Sequence, residues 1–135
     1  MIVSGIRQER RKYSRFFLDL PVEIRVADFP NALGGIVVDG SETGFLLHSV
    51  RDIPLGTKLS IAVLFPNGFE LANFEALARV IRKDQKVEER RKTYTYGLKL
   101  VQLNEENRLK LKYVLSGLHD LVNVDTFAPQ LRLRR

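Results

Sequence analysis

The sequence predicts a mainly β domain, a small six-stranded antiparallel barrel of the split-barrel type that ends in a C-terminal α-helix. Three observations predict it: apolar and polar residues alternate with a period of two in successive short runs between Phe16 and Leu100, turn-forming clusters divide those runs, and the spacing becomes helical beyond Leu103. Closure is the expected arrangement, because antiparallel strands joined by short turns otherwise leave open edges.

The first run places Phe16, Leu18, Leu20, Val22, Ile24 and Val26 on one face and Asp19, Glu23 and Arg25 on the other, the pattern of a half-buried strand. Pro21 lacks a ladder donor and belongs at an edge or a bulge. Asp28-Phe-Pro-Asn breaks the run, and strands follow at Leu33–Val38 and Phe45–Val50 with a turn-forming segment between them. After the turn Arg51–Gly56, the residues Leu59, Ile61, Val63 and Phe65 alternate up to Pro66-Asn67-Gly68, a strong hairpin signal. The next strand carries Phe69 and Leu71 in one phase and Phe74, Ala76, Ala78 and Val80 in the other, which predicts a bulge near Ala72-Asn73. Lys83–Lys92 reads as a charge-dense loop, and Tyr94, Tyr96, Leu98 and Leu100 alternate in the last strand.

Asn104 is a suitable helix N-cap, and Glu105 and Glu106 complement the positive end of the helix. Leu111, Val114, Leu115, Leu118, Leu121 and Val122 then form one apolar stripe, so a helix is expected over 104–123, weakened by Gly117. The stripe has the barrel or a second subunit to cover, and the chain is read as a monomer or homodimer. The resulting division is a flexible N-terminal segment at 1–15, the barrel at 16–103, the helix at 104–123 and a basic tail at 124–135.

Composition narrows the function classes. The chain has 135 residues, 44% of them hydrophobic, which is enough for one domain with its own core. A formal charge of +6 favours an anionic partner. There is no cysteine, and His48 and His119 lie far apart in sequence, so neither a disulfide framework nor a histidine or thiolate metal centre is expected. His48 reads as a structural strand residue. No apolar run reaches the ~20 residues of a membrane span, and no hydrophobic leader precedes the first charges, so a cytoplasmic protein without membrane insertion is expected.

Two segments carry the chemistry. Arg10, Arg11 and Arg15 precede the first strand, and Arg11 and Arg15 offer planar guanidinium forks suited to a phosphate or to the edge of a guanine. Asp39, Gly40, Ser41 and Gly44 form a polar turn in which the carboxylate can accept from the N1 and N2 protons of guanine, while the glycines permit positive φ and close backbone approach to a ligand. Either segment alone is ordinary: a basic segment is commonly a solvated surface, and Asp, Gly and Ser dominate turns. Their joint presence points to one anion site.

The pair resembles the two motifs of the PilZ domain family of bacterial cyclic di-GMP receptors, R-x-x-x-R and [DN]-x-S-x-x-G. They stand here as Arg11-Lys-Tyr-Ser-Arg15 and Asp39-Gly-Ser41-Glu-Thr-Gly44, and Arg7-Gln-Glu-Arg-Arg11 also matches the first. The resemblance covers Arg7 to Leu103 and implies the same barrel, with Arg10, Arg11, Arg15, Asp39, Ser41 and Gly44 as ligand-binding residues and cyclic di-GMP as the ligand. In the family the residue before R-x-x-x-R is associated with ligand stoichiometry, and Arg10 there leads to the expectation of two ligand molecules per chain. Thr43 and the backbone of 33–35 are further candidates for the pocket.

The implied mechanism is non-enzymatic and metal-free. Ligand would fold the arginine segment over the barrel mouth and alter the surface offered to an unidentified protein partner in motility, exopolysaccharide or virulence control. No nucleophile with a nearby base and no phosphate loop supports catalysis. Two other readings stand beside this one. A basic barrel could bind RNA or single-stranded DNA, with Tyr94, Tyr96 or phenylalanines as stacking platforms, although a nucleic-acid partner is disfavoured. A PilZ-like adaptor could act by protein contact alone.

Overall fold

The computed structural model describes residues 15–117. Six strands, β1 (Phe16–Arg25), β2 (Leu33–Gly40), β3 (Gly44–Ser49), β4 (Lys58–Asn67), β5 (Glu70–Glu88) and β6 (Arg91–Gln102), precede one helix, α1 (Glu105–Ser116). The strands close into a barrel in the order β1-β2-β3-β6-β5-β4, and every pairing is antiparallel. The period of two produces the core directly. Ile24, Val37, Leu47, Val63, Phe74 and Tyr96 point inward and are fully buried. Phe45 and Phe65 flank Phe74 with ring centroids 5.9 and 6.2 Å away, and Tyr113 of α1 lies 6.0 Å from Phe65, which joins helix to barrel.

The N-terminal half of β1 departs from the expected alternation. A register shift lies between Phe17 and Leu20, and Asp19 within it adopts φ 54. Residues before the shift therefore leave the buried phase. Phe16 and Phe17 are exposed at 43% and 76%, whereas Leu18 to Val26 keep the predicted burial. Pairing of β1 with β4 begins at Val22, so Pro21 lies beside the bulge where no β4 partner needs its missing N–H.

Two expectations about β5 are corrected. The register with β4 runs unbroken from Lys58↔Arg79 to Asn67↔Glu70, so no bulge occurs at Ala72-Asn73. Leu71 is simply an apolar residue on the outer face opposite Pro66, and it and Phe69 are exposed at 69% and 78%. The irregularities of β5 lie against β6 instead, between Leu77 and Ala78 and between Val80 and Arg82. The segment Lys83–Lys92 is not a loop. It is the end of a long β5–β6 hairpin, paired through to Glu88↔Arg91 and reversed by Glu89 and Arg90 at φ 50 and 67. Both faces of this arm meet solvent, so its strands carry no apolar alternation for a sequence reading to detect.

The predicted hairpin at Pro66-Asn67-Gly68 is present, with Gly68 at φ 69. The Asn104 side chain accepts from the Asn107 N–H at 2.8 Å and caps α1, whose buried residues are Leu111, Val114 and Leu115. Gly117, expected to weaken the helix from within, is its left-handed C-cap at φ 80 and donates to the Val114 carbonyl at 3.1 Å. The remainder of the expected helix, the basic tail and the segment 1–14 lie outside the described residues. Among the described residues, no helix is long and apolar enough to cross a membrane.

Candidate ligand-binding site

The site begins where β1 enters the barrel. Phe17 pairs with Asp39 on β2, which brings Arg15, just ahead of β1, beside the Asp39 carboxylate. The Arg15 Nε donates to Asp39 Oδ1 at 3.0 Å, and Nη2 reaches the same oxygen. Both side chains are about one quarter to one third exposed, so the pair adds at most ~1 kcal/mol to stability. Its geometric effect is larger. Among the described residues Asp39 Oδ2 and Arg15 Nη1 remain uncommitted and are held in a fixed relation.

The turn that follows is built from small groups. Ser41 is 2% exposed, and its Oγ accepts from the Thr43 N–H at 3.2 Å while lying 3.2 Å from Thr43 Oγ1. The Ser41 N–H donates to the Gly44 carbonyl at 2.9 Å, and the Leu100 N–H donates to the Thr43 carbonyl at 2.8 Å. Ser41 therefore shapes the turn from within, while the Thr43 carbonyl ties it to β6.

The glycines act differently from expectation. Gly40 and Gly44 do not adopt positive φ; among the described glycines that conformation belongs to Gly56, Gly68 and Gly117. They are required by close approach to protein, since a Cβ on Gly44 would meet the Leu98 carbonyl oxygen at 2.3 Å and one on Gly40 would meet the Phe45 ring at 2.2 Å.

These elements border a cleft of about 510 Å³ lined by Arg15, Asp39, Ser41, Thr43, Phe45, Leu46, Ile81, Arg82, Gly97 and Leu98. Three of the predicted site residues, Arg15, Asp39 and Ser41, thus share one cleft, and Gly44 stands behind it against β6. Arg10 and Arg11 lie outside the described residues. Thr43 also lines this cleft, whereas Leu33 is in the core and Gly34 and Gly35 border a separate cleft with His48, an exposed residue of β3. Leu46, Ile81, Arg82 and Gly97 had no sequence signal of their own. They become neighbours of Asp39 only through the β2–β3–β6–β5 pairing.

Tyr94 and Tyr96 are 5% and 0% exposed and stack on each other at 6.0 Å, so neither is an external platform for nucleic-acid bases. The Tyr96 hydroxyl donates to the Arg51 carbonyl and accepts from the Ile53 N–H at 2.8 Å. Burial pushes its pKa above the ordinary 10.0 and keeps it protonated. Lys83 forms an exposed ion pair with Asp52 that raises the lysine pKa and lowers the carboxylate pKa through their hydrogen bond, and its ammonium lies 5.3 Å from the Tyr94 ring centroid. The Lys83–Asp52 pair and the Tyr96 hydroxyl bonds anchor the loop 50–54 to β5 and β6, while the Lys83–Tyr94 contact lies within the hairpin itself. No group of three or more metal-ligating side chains gathers among the described residues.

No curated protein sequence matches the chain. Among solved structures it is similar to the Bacillus subtilis inhibitor of motility MotI/DgrA, with a TM-score of 0.64 and 17% identity over 82% of this chain and 52% of that one. It is similar to the PilZ domain of YcgR from Escherichia coli with c-di-GMP, with a TM-score of 0.62 and 16% identity over 83% of this chain and 93% of that one. A third likeness is to the PlzA protein of Borreliella burgdorferi in complex with c-di-GMP, with a TM-score of 0.57 and 13% identity over 90% of this chain and 57% of that one. The chain thus spans about half the length of MotI/DgrA and PlzA, and at these identities the likeness is one of fold. The family model of the PilZ domain matches residues 9–117, the stretch that holds both motifs, the barrel and the helix, and the chain belongs to the PilZ domain family.

Proposed function

We propose that this chain is a non-enzymatic receptor for cyclic di-GMP. The observation that carries the reading is the Arg15–Asp39 pair at the mouth of the cleft. Asp39 Oδ2 is poised to accept from the N1 and N2 protons of a guanine, which selects guanine over adenine, while Arg15 meets a phosphate or the O6/N7 edge. Ser41, by shaping the turn, and Gly44, by lying close against β6, serve this indirectly, so that Asp39 keeps its place. Membership of a family with c-di-GMP-bound relatives supports the ligand assignment.

Arg10 and Arg11 supply the remaining cationic groups in this reading. Binding draws their segment across the cleft, and Arg10 favours two ligand molecules per chain through contact with an additional base and phosphate. The covered cleft presents a new surface to a protein partner in the cytoplasm, and motility control is one output consistent with the MotI/DgrA likeness. A nucleotide-independent adaptor has no physical need for an oriented Arg15–Asp39 pair beside an open cleft.

Calorimetric titration of the full chain with cyclic di-GMP tests the proposal, with GTP as control and with Arg11→Ala and Asp39→Ala as variants. Micromolar or tighter binding, absent for GTP and weakened at least ten-fold in both variants, is the expected result, since each well-made contact contributes ~1–3 kcal/mol. No heat at high ligand concentration overturns it.

A further inference from the structure

A row of paired residues crosses the outer barrel surface through the cleft: Asp39 on β2 pairs with Leu46 on β3, Leu46 with Gly97 on β6, and Gly97 with Arg82 on β5. Both ends of the row are set by irregularities. Register shifts between Val37 and Asp39 and between Val80 and Arg82 leave Val38 and Ile81 as extra residues, and Asp39 and Arg82 come to line the same cleft from opposite sides. Three interstrand steps separate them, roughly 14 Å along the curved sheet. One guanine held at Asp39 does not reach the far wall, whereas a ring dinucleotide carrying a second base does.

Gly97 forms the floor before that wall. The place where a side chain would project from it is already covered by Arg82, whose Cβ, Nε and Cζ lie 3.2, 3.6 and 3.9 Å from that point. The Arg82 side chain therefore lies across Gly97, and both residues line the cleft. Arg82 is exposed and has neither an ion pair nor a hydrogen bond among the described residues, although carboxylates are frequent along the hairpin arm. An unpaired guanidinium plane laid over a glycine is a surface for an aromatic ring, more than a fork aimed at a phosphate.

We propose that Arg82 is a stacking ledge of the cleft, taking the face of a guanine of cyclic di-GMP on the wall opposite Asp39. This rests on the receptor reading above. The ledge needs both partners: the guanidinium to carry the base, and the absent side chain at position 97 to let it lie flat.

The test is titration of the full chain with cyclic di-GMP, comparing the unmutated protein with Asp39→Ala, Arg82→Ala, Arg82→Lys and Gly97→Val, each with its melting temperature recorded. Arg82→Ala is expected to weaken binding about ten-fold at an unchanged melting temperature. Arg82→Lys, which keeps the charge and loses the plane, recovers less than half of that loss on a logarithmic scale. Gly97→Val, which suits a strand and fills the floor, weakens binding with Arg82 still present. Affinity within two-fold of the unmutated chain in Arg82→Ala, or full recovery by lysine, overturns the ledge. Absence of binding by the unmutated chain overturns the receptor reading and the ledge with it, whereas binding that is lost in Asp39→Ala and kept in Arg82→Ala removes the ledge alone.

Discussion

At Gly44 a single methyl group would be driven into the Leu98 carbonyl oxygen at 2.3 Å, so Gly44→Ala must push β3 from β6. We expect a loss of several kcal/mol, about 2 or more, in urea unfolding, with ligand binding lost through the fold and not through a contact. Tyr96 poses the opposite case, a polar group buried on purpose. Its hydroxyl answers Arg51 and Ile53, and Tyr96→Phe leaves both backbone groups without their partner at a cost of about 1–3 kcal/mol. Because the folded state raises this pKa above the ordinary 10.0, its contribution is complete below pH 10 and declines as pH rises through the folded value. Unfolding measured between pH 8 and 11 should show that decline, and Tyr96→Phe should remove part of it. Asp39 was singled out by the joint presence of the two motifs, but that it is held by Arg15 through one oxygen is a statement about three-dimensional proximity across 24 positions of sequence.

Among the elements, the β5–β6 hairpin illustrates a conformation that sequence chemistry opposes. Glu89 and Arg90 occupy left-handed backbone at φ 50 and 67, where Asn-Gly is the favoured pair in a two-residue turn. The double substitution Glu89→Asn with Arg90→Gly should raise stability by about 1 kcal/mol in denaturant unfolding and leave ligand affinity unchanged. The arm was invisible in the sequence for the same reason that its strands persist: they are held by a continuous ladder with each other, with little apolar burial on either face. In α1, by contrast, the cap at Asn104 and the stripe through Leu111, Val114 and Leu115 are local signals, and both appear as read. Gly117 was legible as a helix weakness and not as a terminator, because only its left-handed backbone reveals which of the two it is.

For the molecule as a whole, the charge of +6 favours an anionic ligand. The proposed binding should weaken several-fold as ionic strength rises from 0.05 to about 0.5 M, because the Debye length contracts below the width of the site. The decline should be shallower than for a nucleic-acid complex, which releases many counterions. Titrations in the same buffer series separate the two. Closure of the barrel also couples the site to the core: the strands that carry Asp39 and Arg82 are joined through β3 and β6, whose inner faces hold Phe45, Leu47, Tyr96 and Leu98. Phe74→Ala, which empties the middle of that core, is expected to cost about 3–5 kcal/mol.

The sequence by itself determined the barrel, the helix and the motif pair, because each depends on local periodicity or on residue types at short spacing. Leu18 to Val26, Leu59 to Phe65 and Tyr94 to Leu100 announce their buried faces through alternation alone. Only the tertiary structure decided where the alternation slips, since a bulge is defined by the partner strand, and three of the shifts fall where no local signal marks them, at Val37/Asp39, Leu77/Ala78 and Val80/Arg82. It also decided which residues share the cleft. Arg15, Asp39 and the β5–β6 hairpin that carries Arg82 and Gly97 are separate stretches of chain, and antiparallel pairing across a closed sheet is what makes them neighbours.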